Sequence, residues 1–218
     1  MNQEHLRWFR EAAYGMFIHW GLFSVYKRGE CFMSYTRMPM DEYARAADAL
    51  RPRADFAVQW ARLAKQAGMK YVVFTTKHED GFCNWDSALT DFTSARRGAR
   101  RDYVREVTDA FRAEGLRIGL YHAPSDYYHD TPRLLPAGAP RTPEQAQARK
   151  QLFHGFIREL LTNYGKIDLV WIDGACPARQ AEEFYALARQ LQPGIVINDR
   201  AGPGGDYVTP ENVMHPAE

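Results

Sequence analysis

The chain has 218 residues, 45% of them hydrophobic and 25% charged, which is ordinary globular composition and enough to bury a core without disulfides or a structural metal. Lys and Arg number 28 against 27 Asp and Glu, a formal net charge of +1, so no basic excess points to nucleic acid or to an anionic membrane surface. No apolar run approaches the ~18 residues of a membrane span, and residues 1–10 are polar with no signal core.

Along the chain one pattern recurs: a short apolar run, a polar cluster, then an amphipathic segment. The runs are GMFIHWG at 15–21, YVVFTT at 71–76, RIGLYH at 117–122, IDLVWIDG at 167–174 and GIVINDR at 194–200. Continuous apolar runs rich in β-branched residues predict strands buried on both faces, as in a parallel sheet. Between them lie helical periods. Phe56, Trp60, Leu63 and Ala67 step by three or four, with Gly68 as the stop; Val104, Val107 and Phe111 end at Gly115. Leu152, Phe153, Phe156, Ile157, Leu160 and Leu161 end at Gly165, and Phe184, Leu187, Ala188 and Leu191 at Pro193. Repeated β-α-β predicts the α/β class with about five βα units. Residues 22–40 and 123–143 are long and weakly patterned; both follow a strand, where βα loops carry function. The run of arginines at 96–101 is expected to begin a solvated helix. No composition shift marks a boundary, so residues 1–218 are taken as a single domain. The three cysteines, Cys31, Cys83 and Cys176, are an odd count without CxxC spacing and predict free thiols in a reducing, cytoplasmic setting.

Polar residues collect where the predicted strands end: His19, Lys77, His78, Glu79, Asp80, Tyr121, His122, Asp173, Asn198, Asp199 and Arg200. In parallel α/β folds these ends share one rim, where ligands bind. Asp173 follows four apolar residues, so its carboxylate is expected at a cleft floor, as a nucleophile requires; the plainer reading is a cap on the next helix. Imidazoles and carboxylates are also metal-ligand types, but no HxH or HExxH spacing supports a metal-dependent hydrolase, and no metal or cofactor is expected.

At these residues the sequence resembles the α-L-fucosidases of glycoside hydrolase family 29. The matching stretches are GMFIHWG at 15–21, MKYVVFTTKHEDGFCNWDSALTDF at 69–92, RD at 101–102, GLRIGLYH at 115–122, LLTNYGKIDLVWIDG at 160–174 and IVINDRAGPGGDYVTPE at 195–211. The resemblance implies a TIM-barrel-like (β/α) catalytic domain that hydrolyses terminal α-L-fucosyl groups with retention, using two carboxyls. It implies Asp173 as nucleophile and Glu211 as acid/base, with Glu218 and Asp206 as weaker alternatives. It implies His19, Glu30, His78, Glu79, Tyr121, Trp171 and Arg200 around the sugar. Two positions depart from the family pattern: Glu79 replaces a second histidine, and Cys31 a tryptophan. About five units, where a closed barrel has eight, and no C-terminal β-sandwich imply an incomplete barrel. Its open edges favour a homo-oligomer. A weak or inactive fucose-binding relic of such an enzyme is the alternative.

Overall fold

The computed structural model describes residues 3–129 and 142–210. A 3-10 turn (Gln3–Leu6) and helix α1 (Arg7–Ala12) precede strand β1 (Met16–Ile18). Four short helices follow: α2 (Phe23–Tyr26), α3 (Phe32–Thr36), α4 (Met40–Tyr43) and α5 (Ala46–Ala49). The regular alternation then runs α6 (Phe56–Gln66), β2 (Tyr71–Lys77), α7 (Tyr103–Ala113), β3 (Arg117–His122), α8 (Pro143–Asn163), β4 (Leu169–Ile172), α9 (Ala178–Leu191) and β5 (Val196–Ile197). The strands form one parallel sheet in the order β1-β2-β3-β4-β5. That is the sequential order of a (β/α) barrel wall. Among the described residues the sheet stays open, with β1 and β5 at its edges.

Side chains alternate across a strand, and the alternation sorts this sheet into two cores. Val72, Phe74, Ile118, Leu120, Val170, Ile172 and Ile197 point into the larger one, under α6 to α9. Val73, Tyr121, Leu169 and Val196 face the other way, against Leu6, Trp8, Phe9 and Tyr207. The expected stripe on α7 is buried, and those on α8 and α9 face the core with Leu152, Leu187 and Leu191 half-buried. On α6 the inward face is instead Phe56, Ala57, Ala61 and Ala64, and Leu63 is 57% exposed; small alanines let that helix approach its neighbours closely. Gly68 and Gly115 end their helices at φ 79° and 74°, the left-handed turn glycine adopts without strain.

The arginine run does not begin a helix. Gly98 and Arg100 take positive φ (60° and 54°), which breaks helical geometry, and a Cβ at Gly98 would sit 2.2 Å from the Ala47 carbonyl. α7 starts only at Tyr103, where Asp102 caps it by accepting from the Arg105 amide at 2.8 Å. Arg101 instead donates to the carbonyls of Pro52, Arg53 and Ala54 and pairs with Glu106.

Candidate active site

The C-terminal ends of β1, β2, β3 and β4 build one wall. In register, Tyr121 on β3 lies beside Trp171 on β4, and their rings stack at 5.5 Å and 17°. His78 stacks on Tyr121 at 5.9 Å and 4°. Phe17 on β1 meets Tyr121 and Trp171 edge-on at 6.0 and 5.5 Å. His19 stands 5.0 Å from both His78 and Tyr121. These rings form an apolar platform with polar edges.

Asp173 follows β4 and does not cap α9. Its Oδ2 accepts from the Tyr121 hydroxyl at 2.5 Å and its Oδ1 from the Arg200 guanidinium at 2.9 Å. Arg200 also lies over the Trp171 ring, 5.0 Å from its centroid. Two side-chain donors, one on β3 and one in the turn after β5, thus fix a half-buried carboxylate beside the aromatic wall. Burial, then the Asp173 charge, raises the Tyr121 pKa, so the phenol keeps its proton and remains the donor.

Both imidazoles are neutral. Burial pushes His78 down to about 3, helped by His19 and Lys77. Desolvation lowers His19 as well, against the opposing charges of Glu30 and Asp173. The Thr75 hydroxyl donates to the Ile18 carbonyl at 2.9 Å and lies 3.3 Å from His19 Nδ1. That oxygen has no second proton to give, so Nδ1–H donates and Nε2 is left as an acceptor. Glu79 accepts from the Tyr127 hydroxyl at 2.8 Å, and Tyr127 N donates to the Glu79 carbonyl at 2.7 Å. Glu30 is exposed, and the pKa of the adjacent Cys31 is raised first by burial and then by Glu30 and Glu79.

Other strand-end residues turn away from this wall. Asp80 accepts from Tyr43 and the Phe82 amide and is pushed up to about 6 by burial. His122 lies in the core and contacts Thr76. Asn198 bonds the Ile172 backbone, and Asp199 the Thr209 amide. Asp206 accepts from the Ile197 amide at 2.9 Å and Arg189 at 3.1 Å, with His5 at 3.3 Å. Those three partners lie on β5, α9 and the N-terminal 3-10 turn. Glu211 and Glu218 lie outside the described residues. Phe17 and Tyr127 join the site without having been expected. Phe17 was within reach, since it sits on β1 two residues before His19, which follows the strand's end; nothing in the pattern around Tyr127 marks it.

Among the described residues no group of three or more His, Cys, Asp or Glu side chains is arranged to hold a metal ion. The cysteines are free, and no described helix is long and apolar enough to cross a membrane.

The family model described as Alpha-L-fucosidase matches residues 1–217. The tissue alpha-L-fucosidase of Rattus norvegicus is 34% identical over 90% of this chain and 47% of its own length. That of Homo sapiens is 33% identical over 89% and 46%. The chain therefore spans about half the length of these relatives. Among solved structures, alpha-L-fucosidase isoenzyme 1 from Paenibacillus thiaminolyticus superimposes with a TM-score of 0.89 at 37% identity, covering 98% of this chain and 56% of that one. The alpha-L-fucosidase AlfC from Lactobacillus casei, in complex with alpha-L-fucose product, gives 0.84 at 31% identity, covering 98% and 75%.

Proposed function

Because the chain belongs to the α-L-fucosidase family, we propose that it hydrolyses terminal α-L-fucosyl groups from glycosides by a retaining double displacement. Asp173 attacks the anomeric carbon and forms a covalent fucosyl-enzyme while a second carboxyl protonates the departing glycosidic oxygen; that group then takes a proton from the water that hydrolyses the ester. Glu211 is our candidate for the second carboxyl. The fucose ring lies against Trp171, Tyr121 and Phe17. His19 Nε2 accepts from a sugar hydroxyl, and His78, Glu79, Glu30 and Arg200 complete the polar edge. The observation that carries this reading is the Asp173 carboxylate, held between Tyr121 and Arg200 beside the stacked wall.

Release of 4-nitrophenol from 4-nitrophenyl α-L-fucoside tests it. Asp173→Ala should lower kcat by about 10³-fold or more. Azide should restore part of the rate and yield fucosyl azide of inverted configuration, because it enters the space the carboxylate left. Full activity in Asp173→Ala would remove this residue from the mechanism. Calorimetric L-fucose binding by the unmodified chain without turnover would favour the relic reading, for which Cys31 and Glu79 are the specific grounds. We further propose that residues 1–218 act as one catalytic domain, and that copies of the chain self-associate.

A further inference from the structure

One buried charge stands behind the site and takes no part in the reaction just described. Lys77 is 1% exposed. It ends β2, immediately before His78 and Glu79. Its ammonium donates to the Ser125 carbonyl at 2.7 Å and to the His78 carbonyl at 3.2 Å, and lies 3.5 Å from Asp126 Oδ2. The short contacts are thus to two backbone oxygens on different loops, one after β2 and one after β3. The Lys77 carbonyl adds a third tie, accepting from the Ala123 amide at 3.1 Å.

Asp126 completes the arrangement from the loop after β3. Burial alone would raise its carboxyl, but Lys77 and His129 overcome that and hold it at about 2. Its Oδ1 accepts from His129 N at 3.0 Å and lies 2.8 Å from His129 Nδ1. The charged pair therefore folds residues 125–129 back onto the β2 loop. Between its two ends sits Tyr127, whose hydroxyl and amide both bond Glu79.

A buried ion pair is a poor device for stability alone, since an apolar pair of similar volume commonly does as well or better. What an apolar pair cannot supply is a donor to two carbonyls at fixed positions. We propose that Lys77 is a positioning residue for the sugar-binding side of the site: it straps the β2 loop to the β3 loop, and so sets where His78 and Glu79 present their polar edges. This inference rests on the fucoside reading above. Asp173 is held separately, by Tyr121 and Arg200, so the strap acts on sugar recognition more than on the attacking oxygen.

The test compares the full chain with Lys77→Met, Lys77→Met/Asp126→Asn and Tyr127→Phe. It reads kcat and KM for 4-nitrophenyl α-L-fucoside, the inhibition constant of L-fucose, and the melting temperature. Lys77→Met should raise KM and the L-fucose inhibition constant about tenfold, the worth of one charge-assisted hydrogen bond, and change kcat less than about threefold. The double variant removes both buried charges, so it should regain melting temperature but not fucose affinity. Tyr127→Phe cuts the strap at its far end without touching a buried charge, and should raise KM in the same sense. It keeps the test decisive if the Lys77 variants do not fold. KM and inhibition constants within twofold of the parent in Lys77→Met or Tyr127→Phe would overturn the proposal, as would affinity that returns together with stability in the double variant. If the parent chain neither binds L-fucose nor turns over, the fucoside reading itself has failed, an outcome visible before any variant is made.

Discussion

His78 shows how burial holds a strand-end imidazole in its neutral form. In the folded chain its pKa is down to about 3 because the ring is buried between Tyr121, Phe23 and His19; in the unfolded chain it returns to about 6.5. The unfolded state therefore binds more protons between pH 3 and 6.5, and stability rises with pH across that window. It is fully present above pH 6.5 and lost as pH falls toward 3. The shift corresponds to roughly 3–5 kcal/mol at the acid end. Asp80 acts in the opposite sense, since burial lifts its carboxyl to about 6 and stability from that group falls as pH rises from about 4 to 6. The His78 contribution is isolated by difference. Urea melts of the parent and His78→Gln should show a gap in unfolding free energy that closes steadily as pH drops from 7 to 4. A gap independent of pH would mean that His78 is not buried in its neutral form.

At the scale of the element, β5 is the least self-sufficient piece of the sheet. It has two residues, and beyond Ile197 the ladder continues through a side chain: Asn198 Nδ2 donates to the Ile172 carbonyl at 2.9 Å, and its Oδ1 accepts from the Ile172 amide at 2.8 Å. Asn198→Ala leaves both buried backbone groups without partners, at about 1–3 kcal/mol each. A drop of about 2–5 kcal/mol in urea unfolding, with the denaturant slope unchanged, is the expected result; a change below about 0.5 kcal/mol would show that Ile172 finds other partners. The same element marks where sequence reading stops. Strands such as YVVFTTK are legible because burial on both faces leaves a continuous apolar run, and the helix stops at Gly68 and Gly115 because their turns need positive φ. His19, His78, Tyr121, Asp173 and Arg200 were legible as a group because parallel strands bring their ends to one rim. Asn198 and Asp199 carry the same strand-end signature but serve the backbone. The Asp206 bonds to Ile197, Arg189 and His5 were hidden for a similar reason: they are long-range and leave no local pattern. Tyr127 was invisible because its loop has no periodicity to read.

For the whole molecule the two edges of the sheet are unequal. At β5, Asp206 occupies Ile197 on both sides, accepting from its amide at 2.9 Å and donating to its carbonyl at 2.6 Å, and Asp199 N bonds the Tyr207 carbonyl at 3.1 Å. That edge is covered by its own chain. Among the described residues β1 pairs on one side only, with β2. Next to it the inner face of the sheet is open: Phe17 is 47% exposed, and a cavity of about 120 Å³ runs between Phe9, Phe17, Tyr71, Trp171 and Tyr207. An unpaired strand beside exposed aromatic surface is the arrangement that recruits another chain. Self-association is therefore expected to bury the free edge of β1, leaving the sugar-facing aromatic wall and β5 outside. Sedimentation velocity at low micromolar concentration should show a dimer or larger species, and hydrogen exchange should slow at the β1 amides as concentration rises. A compact monomer across the range, with β1 exchange independent of concentration, would sink the idea. Protection appearing at β5 instead would keep the association but reverse the edge that carries it.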